Sequence, residues 1–215
     1  MRVVNLIAED DFDGWRHAAR ALALARVPTG EIVWQVGETP QDLFGDEAVF
    51  DVDDGTAFVV PRAFIDMART VICHSDPERF SLLYTMLAGL RAAPRAMADA
   101  ADPLLRRLEQ MAKAVRRDMH KMRAFVRFRE LDGRFVAWFE PGHHIVRANA
   151  GFFVRRFARM RWSILTPELS IHWDGETLRE GPGESRADAP QGDPVEEVWK
   201  TYYASIFNPA RVKIG

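Results

Sequence analysis

The stretch LLRRLEQMAKAVRRDMHKMRAFVRFRELDGRFVAWF, residues 104–139, changes its apolar period once, and that change decides the fold class. In its first part Leu104, Leu108, Met111, Val115, Met119 and Met122 recur at spacings of three and four, the mark of one buried helical stripe. AFVRFRE (124–130) and RFVAWF (134–139) then alternate on either side of Leu131-Asp132-Gly133, as two strands joined by a tight turn do. A helix running straight into a hairpin predicts an α+β protein whose helices pack on small antiparallel sheets. The methionines of the stripe are ordinary core filler.

The other face of that helix is cationic. Arg106, Gln110, Lys113, Arg117, His120 and Lys121 line up along it with Arg116 alongside, while Arg127 and Arg129 of the hairpin point away from Val126 and Phe128. Residues 140–160 turn into a further helix carrying Arg155, Arg156 and Arg159. Beyond it WSILT, LSIHW and ETLR read as strands, Glu180 to Asp193 as an exposed loop, and the residues after the Asp193-Pro194 cap as a last helix. That helix buries Val195, Val198, Trp199, Tyr202 and Ile206.

Toward the N-terminus, Val3 to Ile7 predicts a strand and Phe12 to Arg26 a helix with Trp15, Ala19, Leu22 and Ala23 on one face. Glu31 to Val36 predicts a second strand, Gly37 to Gly55 a connecting loop, and Phe58 to Val60 a return to the sheet. One helix starts near Pro61. Another has Asp76 as N-cap, Pro77 at its first position, and Phe80, Leu83, Tyr84, Leu87 and Leu90 as its buried stripe. Pro94 to Pro103 reads as a linker between an acidic α/β part, 1–93, and a basic α+β part, 104–215. The two form either one compact domain or two subdomains that share an interface.

The net charge of −2 conceals this asymmetry: residues 1–60 carry −8, 61–103 carry 0, 104–161 carry +10 and 162–215 carry −4. A concentrated basic segment suits a polyanionic partner, because clustered Lys and Arg release counterions from phosphates. The competing reading is internal, with the acidic part docked on the basic part. No stretch is apolar enough to span a membrane, and Met1 to Asp13 lacks the pattern of a signal peptide, so a cytoplasmic protein is expected. The single cysteine, Cys73, excludes an internal disulfide, and it excludes a four-cysteine zinc site or an iron–sulfur cluster held by this chain alone. No cofactor is expected.

Signatures of catalysis such as a phosphate-cradling glycine loop, a nucleophile elbow or an HExxH helix do not occur. The candidate acid–base groups are His120, His143 and His144. His143 and His144 with Glu140 invite a metal reading, but adjacent side chains diverge, and one as a core or capping group with the other on a phosphate or a neighbouring acid fits better. Trp138, Trp162, Trp173, Tyr202 and Tyr203 are candidate stacking surfaces, although aromatics at strand and helix spacing belong more often to the core.

The segments MAKAVRRDMHKMRAFVRFRE, FVAWFEPGHHIVRA, FFVRRFARMRWSILTPELSIHWDG and TYYASIFNPAR, with FDGWRHAARAL near the start, resemble a bacterial family of probable DNA-metabolism proteins. The resemblance implies an accessory of a radical-SAM DNA modification or repair protein, in a domain also found fused to X-type uracil-DNA glycosylases. This chain stops at Gly215, where such relatives continue, and carries neither the glycosylase domain nor a three-cysteine cluster motif. The implied function is a DNA-repair module that engages DNA with Lys113, Arg116, Arg117, Lys121, Arg127, Arg129, Arg155, Arg156 and Arg159, or docks on the radical-SAM protein, or both. The alternatives are an enzyme acting on a damaged or modified nucleotide through the histidines, and a structural partner that does not touch DNA.

Overall fold

The computed structural model describes residues 1–37, 59–93, 96–131 and 133–186, and it is α+β as the change of period predicts. The chain forms two compact units. One comprises Met1–Ala124 and Pro141–Asn149, the other Phe125–Glu140 and Ala150–Gly215.

In the first unit β1 (Arg2–Leu6), α1 (Phe12–Leu24) and β2 (Ile32–Val36) form a strand–helix–strand crossover, with the two strands parallel in register from Arg2↔Ile32 to Leu6↔Val36. This pair departs from the general expectation of antiparallel sheets, in the part read as α/β, because a helical connection returns the chain to the same end of the sheet. Asp11 caps α1 by accepting the Gly14 amide at 2.8 Å. The helix ends two residues before the expected Arg26, which has a left-handed φ of 57° and lets Val27 N–H reach back to Leu22 O. Trp15, Ala19, Leu22 and Ala23 are buried as predicted.

Val59 and Val60 carry no strand, and α2 (Arg62–Val71) follows Pro61. The next helix, α3 (Arg79–Ala92), starts later than its sequence signal. Asp76 caps the turn ahead of it, accepting the Glu78 amide at 2.9 Å, and Arg79 N–H closes that turn on Asp76 O. The stripe Phe80, Leu83, Tyr84, Leu87 and Leu90 is buried; Tyr84 donates to Val27 O at 2.7 Å, and the Phe80 ring stacks 6.2 Å from Trp34. Residues Ala96–Ala98 make one 3-10 turn before α4 (Pro103–Phe125), which belongs to this unit up to Ala124. Asp102 accepts the Leu104 amide at 2.7 Å and starts the helix. Its buried stripe is rotated from the expected one: Leu105, Ala112 and Asp118 join Leu108, Met111, Val115 and Met122, while Leu104 and Met119 are half-exposed.

The second unit holds a five-stranded sheet in the order β3 (Arg129–Leu131), β4 (Arg134–Trp138), β5 (Trp162–Leu165), β6 (Leu169–Trp173) and β7 (Leu178–Pro182). The hairpin is present but its first arm is short, because α4 continues to Phe125 and takes residues that alternate like a strand. Gly133, at φ 77°, supplies the positive angle its turn requires. Only β4–β5 is parallel, again because a helix, α5 (Val146–Arg156), lies in the connection; the other three pairings are antiparallel as predicted. Strand β7 runs to Pro182, past the expected start of the loop at Glu180, and an edge strand accommodates that proline.

Rings fill this unit's core. Phe128 meets Phe157 edge-on at 5.2 Å and lies 5.9 Å from Trp162, and Phe153 stacks on Phe157 at 6.3 Å. All but Gly37 of the loop predicted from Gly37 to Gly55, the helix after Asp193, and Tyr202 and Tyr203 lie outside the described residues.

Candidate nucleic-acid interface

Helix α4 turns Lys113, Arg116, Arg117 and Lys121 to solvent, because its apolar stripe faces the core of the first unit. Among the described residues none of these four has a carboxylate partner within ion-pair distance. Arg106, also exposed, donates to Ala100 O at 2.7 Å. Acids of the 1–93 part do meet two arginines of the basic part, Arg107 and Arg147, and Arg79 pairs within the acidic part itself. Arg107 pairs with Asp76 at 3.2 Å and with Glu78; Arg147 reaches Asp10 at 2.6 Å; Arg79, 1% exposed, pairs with Glu9 and also donates to Ile72 O and Asp76 O.

The remaining candidate cations belong to the second unit. Arg127 and Arg129 are half-buried; Arg127 donates to Val126 O at 3.1 Å, and Arg129 sits opposite Val136 on β4. At the end of α5 Arg155 is exposed, while Arg156 packs 5.4 Å over the Phe157 ring. Arg159 is exposed in the following turn. The sequence candidates thus fall into two sets, Lys113, Arg116, Arg117 and Lys121 on one helix face, and the five arginines of the second unit.

The three histidine candidates have three different surroundings. His120 is exposed on α4. His143 and His144 diverge, as adjacent side chains do: His143 Nδ1 lies 3.1 Å from Ser75 Oγ, whereas His144 Nε2 lies 3.8 Å from Glu9. The loop that carries them is fixed by Asp118, the one acid of the buried stripe of α4, whose carboxylate accepts the amides of Gly142 at 2.8 Å and His143 at 3.0 Å. The His144 amide donates to Cys73 O at 2.8 Å. Glu140, in the second unit, accepts from Trp138 Nε1 at 2.7 Å and from Arg186 at 3.0 Å, and these bonds hold its carboxyl below the usual range.

Sequence patterns alone missed His74 and Ser75, which stand just before the Asp76 cap. The His74 and His143 ring centroids are 4.3 Å apart. Burial pushes the Cys73 thiol up to about 12, with Asp10 adding to it, so Cys73 is a protonated core residue without nucleophilic character at neutral pH. Among the described residues no three His, Cys, Asp or Glu side chains gather as a metal site, and no helix is long and apolar enough to cross a membrane. Trp162 and Trp173 are buried, which leaves Trp138 as the half-exposed member of the three described stacking candidates.

The fold and site define an α+β protein with a solvent-facing cationic helix and a loop of histidines. The chain belongs to the DUF4130 family, a domain of unknown function, whose match covers residues 77–215, from the turn before α3 onward. No curated protein and no solved structure gives a significant match.

Proposed function

We propose that the protein is a DNA-repair-associated accessory module that binds DNA through the outward face of α4. The observation that carries this reading is Lys113, Arg116, Arg117 and Lys121 on one exposed helix face, with no carboxylate paired to them among the described residues. Cations left in this state are solvated and ready to replace the counterions of a phosphate backbone. The arginines of the second unit are candidate phosphate contacts of their own. The motifs that resemble the DNA-metabolism family supply the biological setting: a cytoplasmic module working with a radical-SAM repair protein, which performs the chemistry.

Fluorescence anisotropy of labelled duplex and single-stranded oligonucleotides between 50 and 200 mM salt tests it. Four phosphate contacts give log K against log salt a slope of about −3.6 on duplex DNA, and each Lys→Gln or Arg→Gln change on α4 reduces its magnitude by about 0.9. Absence of binding to either form at low salt would overturn the DNA reading. If the protein instead co-purified with the radical-SAM protein and still bound no DNA, it would be a structural partner.

A further inference from the structure

His74 and His143 form a pair whose hydrogen bonds fix where their protons are. His74 Nδ1 accepts the main-chain N–H of Asp76 at 3.0 Å, and His143 Nδ1 accepts that of Ser75 at 3.2 Å. A ring nitrogen that accepts an amide proton carries none of its own, so each neutral ring holds its proton on Nε2. Protonating either ring would set N–H against N–H. The Ser75 hydroxyl, 3.1 Å from His143 Nδ1, is a further donor to it.

The charged surroundings agree. Burial lowers the pKa of both rings, and His143 lowers that of His74 further. Arg79 and His144 act on His74 in the same sense, as do His144 and Lys121 on His143, against the opposing pull of Asp76 and Asp118. The two Nδ1 atoms take consecutive amides, so the Nε2–H groups are the ring donors those bonds leave over, on two half-exposed rings whose centroids are 4.3 Å apart. A metal ion would need a bare Nε2, which this tautomer does not offer.

We propose that His74 and His143 form a phosphate-binding site that extends the cationic face of α4, with two neutral Nε2–H groups as donors to the phosphate oxygens. Asp118 of α4, three residues before Lys121, accepts the His143 amide at 3.0 Å and so sets the pair against that helix. The inference rests on the DNA reading for the source of the phosphate, a backbone phosphodiester, while its chemistry suits any phosphate group. Neutral donors bind a phosphate without releasing a counterion, so they contribute affinity that salt does not remove. That separates them from lysine.

The test uses His74→Asn and His143→Asn in the full chain, because asparagine keeps an acceptor near the Nδ1 position and deletes the Nε2 donor. Each change lowers DNA affinity roughly tenfold at every salt concentration and leaves the salt slope unaltered, whereas Lys121→Gln flattens the slope by about 0.9. Inorganic phosphate alone, titrated into the wild-type protein, shifts the Nε2–H signals of both rings in nitrogen–proton spectra. Unchanged DNA affinity in both variants, with no shift on adding phosphate, overturns the site. A slope that falls with each histidine removed shows charged rings and overturns the neutral-donor chemistry. If the wild type fails to bind DNA but phosphate still shifts the signals, the site stands as one for a small phosphate ligand and the DNA reading falls.

Discussion

The two units are held together by different chemistry. In the first, buried polar side chains tie one segment to another, near and distant in sequence. Arg79 reaches Ile72 O, Asp76 O and Glu9; Asp118 holds the 142–143 loop; and Asn149, fully buried, accepts from Arg123 Nε at 2.7 Å and donates to Met119 O at 3.4 Å. In the second, Phe128, Phe153, Phe157 and Trp162 pack ring against ring, and among its described residues the buried polar ones are the small Ser163, Thr166 and Ser170. Polar ties are directional, so they fix a loop at a set place, whereas ring packing resists unfolding without dictating where a surface side chain points. The histidine pair occurs where the ties are.

The largest expected effect falls on the ring-packed unit. Phe153→Ala removes a side chain 1% exposed that touches several rings, and it should cost about 3–5 kcal/mol in chemical denaturation followed by near-ultraviolet circular dichroism. Loss of less than about 1 kcal/mol would mean that the rings are not the core. Next comes Arg79→Met, which strands the Ile72 and Asp76 carbonyls and the Glu9 carboxylate. With Glu9 partly in solvent the expected loss is about 3 kcal/mol, and Arg79→Lys recovers part of it. A neutral Arg79→Met would erase the distinction between the units.

The smallest effect is the one most specific to the comparison. His74 and His143 in the first unit and His172 in the second are all held below the ordinary histidine value, chiefly by burial. The unfolded chain therefore takes up protons first as pH falls below about 6.5. Stability is complete above that value and declines as pH drops toward the lower folded values. In melting curves from pH 7.5 to 5, His74→Asn with His143→Asn should flatten the decline in the first unit, and His172→Asn that in the second. Equal slopes in the wild type and all variants would remove these histidines from the acid response.

Much of the fold was legible in the sequence because it is written in local period. The stripe of α3, the buried face of α1 and the turn at Gly133 all follow from residues within a few positions of one another. The cationic side of α4 could be read for the same reason, since a helix's apolar stripe implies its opposite face. What escaped depends on pairings between remote segments. Whether β1 meets β2 parallel or antiparallel is decided by the packing of the connection, not by the alternation within either strand. Ser75 meets His143 across 68 positions, and Asp118 meets Gly142 across 24, so neither is visible as a motif. An aspartate among helix cations looks like one more surface charge until the loop it captures is known. The sequence boundary of α3 was misplaced for a subtler reason: the Asp76 signal is a real cap, but of the turn before the helix.

The chain path through the two units has a further consequence for synthesis. The first unit is completed only by Pro141–Asn149, which follow strands β3 and β4 of the second unit in the chain. As the polypeptide emerges from a ribosome, the N-terminal unit cannot close before the opening strands of its neighbour have been made. The usual order, in which an N-terminal domain finishes folding before the next begins, is therefore unavailable to this protein. For the same reason, no single cut in the chain releases either unit whole.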